Sequence, residues 1–158
     1  MKKLLAILIM GLMISLPLSV FAAGSVAQKV DTFDRSDMVV LTFTWVGDSG
    51  NGTVPEETTN TENTAKIAGA YICEVRTYPG ITSPTDQYDI ALEDMGGFDV
   101  MGGALVNRSD TNSERVVAVM ITGVYGGPAV SGPITLVITG QSVVSATGTV
   151  KVFLSRSE

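Results

Sequence analysis

Pro84-Thr-Asp-Gln-Tyr88-Asp-Ile90-Ala-Leu92-Glu-Asp94-Met-Gly96-Gly97-Phe98-Asp99-Val100-Met-Gly102-Gly103-Ala-Leu105-Val-Asn107-Arg108-Ser-Asp110 is the stretch that decides the fold. Its first half alternates apolar and polar side chains, so Tyr88, Ile90 and Leu92 share one face of an extended chain. An acidic pair and two glycines follow, then a second short apolar run over 98–106. That pattern predicts two strands joined by a tight turn at 94–97, with Gly96 or Gly97 at positive φ. Paired glycines at 102–103 predict a bulge or a close backbone approach within the second strand.

The same grammar extends outward in both directions. Residues 38–46 read as a strand with Val39, Leu41, Phe43 and Trp45 on one side, and residues 67–78 as a second long strand. Residues 24–36 are weakly patterned and fit either a loose arm or a first edge strand. Residues 47–66 are almost devoid of apolar side chains and read as a long loop, with room for a short Thr-rich edge strand. Tyr78-Pro79-Gly80 has the residues of a type I or II turn. Residues 116–124 are nearly all apolar, as in a strand buried on both faces. Residues 130–139 carry Ile134, Leu136 and Ile138 in alternation, with Pro133 placing the start of that strand at a sheet edge. In the closing run, 143–154, Val144, Ala146, Gly148, Val150, Val152 and Leu154 line one face. Seven or so short strands without a helical period predict an all-β fold, an antiparallel β-sandwich of the immunoglobulin-like or jelly-roll kind.

The N-terminus predicts an export signal. Lys2 and Lys3 precede an uncharged apolar run over 4–16, Pro17 breaks it, and Val20 and Ala22 are small residues where a signal peptidase reads. Cleavage after Ala22 leaves one domain over residues 23–158 with no membrane anchor. The full chain carries a formal charge of −6; without Lys2 and Lys3, eight basic residues face 16 acidic ones and the charge is −8. Such a chain repels nucleic acid and anionic lipid. The one cysteine, Cys73, has no partner for an internal disulfide, and its phase with Tyr71 and Val75 predicts a core position.

The absence of histidine removes Ser-His-Asp and Cys-His catalysis and the usual zinc sites. The glycine pairs are not followed by Gly-Lys-Ser/Thr, so there is no phosphate-binding loop. No residue is assigned to catalysis, to a cofactor or to a metal. Asp86, Asp89, Glu93, Asp94 and Asp99 gather around the central hairpin and are the candidate calcium ligands, set against a solvated acidic face. Tyr71, Tyr78, Tyr88, Tyr125 and Trp45 are the candidate sugar-stacking rings, set against core packing.

Several of these segments together resemble a known group. They are Tyr78-Pro-Gly80, the run from Pro84 to Leu92, Asp94 with its Gly-Gly, Phe98-Asp-Val100, Ala104 to Ser109, Gly132 to Ile138 and Gly148 to Phe153. The chain is similar to small uncharacterised β proteins encoded by tailed phages and prophages. The resemblance implies a virion-associated structural domain, whereas the signal peptide implies export to periplasm, cell surface or medium. The expectation is a non-enzymatic β-sandwich that binds a protein or glycan surface or assembles with copies of itself. A secreted carbohydrate-binding module is the main alternative, and a carboxylate-based hydrolase the third.

Overall fold

A computed structural model describes residues 22–33, 37–118 and 127–156; the expected signal peptide apart from Ala22, most of the apolar run at 116–124, and Tyr125 lie outside them. The described chain is an all-β sandwich of two antiparallel sheets, with one short helix. In chain order the elements are β1 (Ser25–Thr32), β2 (Met38–Val46), β3 (Glu57–Thr58), α1 (Thr61–Ile67), β4 (Tyr71–Pro79), β5 (Asp89–Glu93), β6 (Glu114–Val117), β7 (Thr135–Thr139) and β8 (Thr147–Ser155). The larger sheet runs β1-β2-β8-β4-β6 and the smaller β3-β7-β5.

Alternation dictates which faces meet. Val39, Leu41, Phe43 and Trp45 from β2 and Val150, Val152 and Leu154 from β8 turn inward and are essentially inaccessible. Tyr88, Ile90 and Leu92, with Ile134, Leu136 and Ile138, face them from the smaller sheet. The Trp45 and Tyr88 rings meet edge to face across the core, 5.8 Å between centroids and 62° between planes. With Cys73 unpaired, this apolar core carries the stability.

Within residues 24–36, of which 34–36 lie outside the described residues, Ser25–Thr32 form an edge strand, β1, rather than an arm. Its Gln28 side chain sews the two sheets together. The Gln28 carboxamide oxygen accepts from Asn60 N at 2.9 Å and Asn63 Nδ2 at 3.0 Å, and its nitrogen donates to Thr58 O at 2.9 Å.

The structure corrects several details of the sequence reading. The polar loop 47–66 contains both the edge strand β3 and the helix α1, capped by Asn60, whose side chain accepts from Asn63 N at 2.8 Å. Ile67 therefore ends a helix instead of opening a strand. A bulge between Ile72 and Glu74 reverses the phase of β4, so Ile72, Val75 and Thr77 point inward while Cys73 is only half-buried. Pro79 still belongs to β4, where it pairs with Gly148, and the chain bends after it.

Residues 98–106 are a series of turns, not a strand, with Gly102 and Gly103 at φ +60 and +79. Of the apolar run at 116–124 only residues 116–118 are described: β6 ends at Val117, which is exposed at the end of the sheet formed by the described residues, and Ala118 is buried. Pro133 lies before β7, the central strand of its sheet, and Val144 is exposed ahead of β8.

Candidate functional site

The acidic hairpin is the first place to look for chemistry, and three of its five candidate carboxylates, those of Asp89, Asp94 and Asp99, are engaged by the backbone. Asp94 Oδ1 accepts from Gly96 N at 2.8 Å and Phe98 N at 3.1 Å, closing the turn at 94–97. Asp99 Oδ1 accepts from Met101 N at 3.0 Å and Leu92 N at 3.2 Å, and its Oδ2 from Gly103 N at 2.6 Å. Asp89 Oδ1 accepts from Asn107 N at 2.8 Å. These three aspartates shape turns, which is the common work of Asp beside glycine. Among the described residues no three His, Cys, Asp or Glu side chains are grouped to hold a metal ion.

The aromatic candidates separate in the same way. Trp45 and Tyr88 are core residues. Burial, together with the Glu114 charge and against the opposing Arg108 charge, pushes the Tyr88 phenol up to about 12. Tyr71 and Tyr78 are half-buried on β4.

A different site emerges from strand register. Across the outer face of the larger sheet, Lys29 of β1 pairs with Thr42 of β2, Thr42 with Lys151 of β8, Lys151 with Arg76 of β4, and Arg76 with Arg115 of β6. One row perpendicular to the strands thus carries four basic side chains over five strands, a span of about 19 Å at the usual strand spacing. The chain has ten Lys and Arg, of which Lys2, Lys3 and Arg35 are outside the described residues; four of the remaining seven stand in this row.

The neighbouring row is Asp31, Val40, Phe153, Glu74 and Val117. It braces the basic one. Glu74 is 7% exposed and its carboxylate accepts from both Arg76 Nε and Arg115 Nε. Burial alone would push this carboxyl up, but the hydrogen bonds and charges of Arg76 and Arg115 outweigh it and hold the group below its ordinary value. The Arg76 guanidinium also lies over the Phe153 ring at 4.5 Å, and Lys151 Nζ stands 5.7 Å from the Tyr78 centroid. Lys29 pairs with Asp31 at 2.6 Å, an exposed contact of small energetic weight.

Counting both rows, four basic side chains meet two acidic ones, so this face is locally positive on an acidic chain. The row was invisible in the sequence, because residues 29, 76, 115 and 151 share no local pattern and only register aligns them. The row offers two guanidinium groups held by Glu74 and two ammonium groups, with the Phe153 and Tyr78 rings beside Arg76 and Lys151, an arrangement chemically able to bind carboxylates and apolar groups together.

Comparisons with protein-family models, with curated proteins and with solved structures return no match to this chain.

Proposed function

We propose that the protein is a non-catalytic, exported β-sandwich acting in protein binding or assembly, and that it receives an acidic protein surface on the outer face of the β1-β2-β8-β4-β6 sheet. The row Lys29–Thr42–Lys151–Arg76–Arg115 carries this proposal. Its arginines are held in place by Glu74 and Phe153, so less side-chain freedom is lost when a partner's carboxylates dock. The chain's charge of −6 repels a long polyanion at a distance, which favours a compact acidic patch as the partner. The non-catalytic part rests on the missing histidine and on the engagement of Asp89, Asp94 and Asp99 by backbone N–H groups. The virion-associated role is the form of assembly that the phage-type motifs suggest.

The test has two arms. The purified protein is passed over an immobilised short Glu-rich peptide, a compact acidic probe, and retention should fall steeply as salt rises, because exposed charges are screened over a Debye length of about 8 Å at physiological ionic strength. Lys151→Glu should elute early, and retention equal to the parent protein would remove this face from the binding role. In parallel, polysaccharides, peptides and esters are offered as substrates. Reproducible turnover that is lost on replacing a single carboxylate by its amide would overturn the non-enzymatic role.

A further inference from the structure

The tip of the central hairpin has the composition this basic face lacks. Met95 is 80% and Phe98 73% exposed, at the two ends of the Gly96-Gly97 turn. Two large apolar side chains this exposed at one turn are a feature that suggests an interaction surface. Around them stand Glu93, Asp94 and Asp99, and the outward positions of β5 continue the negative charge with Asp89. The outward positions of β5 and β7 (Asp89, Ala91, Glu93, Thr135, Val137 and Thr139) include no Lys or Arg.

We infer that the occupant of the basic face is the acidic, apolar-tipped hairpin of a second copy of this chain, an inference that rests on the docking role given to that face. Charge complementarity is the argument. Glu93, Asp94 and Asp99 supply carboxylates for Lys151, Arg76 and Arg115, and Phe98 and Met95 supply apolar surface for the Phe153 and Tyr78 rings. Aromatic, Met and Arg side chains are the residue types enriched at interface cores. The backbone bonds that fix Asp94 and Asp99 leave their charge in place and hold the tip in one shape, which lowers the entropic cost of docking.

The two patches cannot satisfy each other within one molecule. The basic row faces out of the larger sheet and Asp89 and Glu93 face out of the smaller one, with the Trp45–Tyr88 contact between the sheets. A contact between unlike patches is heterologous, so it propagates into a ring or an open filament rather than closing as a symmetric dimer.

Sedimentation velocity tests this directly. The protein should form species larger than dimers at low salt and dissociate as salt rises. Lys151→Glu, which spoils the face, and the double variant Glu93→Lys with Phe98→Ser, which spoils the tip, should each associate at least about tenfold more weakly, as expected when close interfacial charges are reversed. Mixed in equal amounts, the two variants retain one good face and one good tip between them. They should form a heterodimer that grows no further. Circular dichroism of each variant establishes that it is folded, and Lys151→Ala replaces Lys151→Glu if the latter is not.

A protein that stays monomeric at every concentration overturns the inference, as do variants that assemble like the parent or a mixture that gives no dimer. The column of short Glu-rich peptide separates the two levels. A monomer whose retention still depends on Lys151 keeps the face as a docking site for an acidic protein of another kind, whereas a monomer without such retention loses both.

Discussion

Gly97 and Gly148 are both glycine, for unrelated reasons that mutation can separate. Gly97 has φ +75 with open space around a would-be Cβ, so its constraint is conformational. Gly97→Val should cost about 1–2 kcal/mol from the left-handed backbone alone, while Gly97→Asn should be nearly neutral. Gly148 is constrained by space: an added Cβ would lie 2.5 Å from the Trp45 ring, which is fully buried. Gly148→Ala should therefore destabilise by about 1–3 kcal/mol through overpacking. Combining it with Trp45→Phe should recover part of that cost, since the smaller ring frees the space. The buried indole N–H has no hydrogen-bond partner among the described residues, so the replacement sacrifices no such bond. Denaturant melts of the two singles and the double form a thermodynamic cycle. Strict additivity would show that Gly148 is not held small by Trp45.

At the level of elements, β2, β5 and β8 were legible because a period of two ran through them uninterrupted and burial followed it, broken only at Val40 of β2, which is also buried. The helix α1 was not, since its seven residues bury only Asn63 and Ile67 and cannot display an apolar stripe. Its signals were polar and local: the Asn60 cap, Glu62 in the first turn, and the Glu62–Lys66 pair at i, i+4. Asn60→Ala should accordingly cost about 1 kcal/mol. Cys73 was misplaced because a bulge inserts one residue and inverts the alternation beyond it, which no local pattern announces. The apolar run at 98–106 misled for another reason. There the Asp99 carboxylate and the left-handed Gly102 and Gly103 offer the backbone hydrogen bonds that a strand would have made. Asp99→Ala leaves three backbone N–H groups without that acceptor and should cost on the order of 1–3 kcal/mol, with Asp99→Asn losing less. Equal melting midpoints for the parent and Asp99→Ala would mean that the loop is held by its apolar contacts instead. The basic row was beyond any such reading, because its members are brought together by register across five strands.

For the molecule as a whole, two groups with opposite shifts contribute opposite pH dependences to the stability of the sandwich. Glu74 titrates below its ordinary value of 4.5 when folded, since Arg76 and Arg115 prefer its ionised form. The unfolded chain then takes up a proton first as acid is added. The stabilisation from this group is complete above 4.5 and is lost as pH falls through the lower folded value. Tyr88 behaves in the reverse sense. Its ordinary value is 10.0 and burial raises it to about 12, so the unfolded chain loses the proton first as base is added. The contribution is complete below 10 and is lost as pH rises towards 12. Urea melts across pH should therefore show an acid limb that flattens in Glu74→Gln and an alkaline limb that flattens in Tyr88→Phe. Each variant should leave the other limb intact, because Glu74 stands on the outer face of the larger sheet and Tyr88 in the core between the sheets. Ultraviolet titration of the phenols offers an independent check on the alkaline side. The Tyr88 phenol should ionise late while the protein is folded and at its ordinary value in denaturant, and Tyr88→Phe should remove that late component. An alkaline limb unchanged by Tyr88→Phe would show that the core does not open by ionising this residue, and that another group sets the upper boundary.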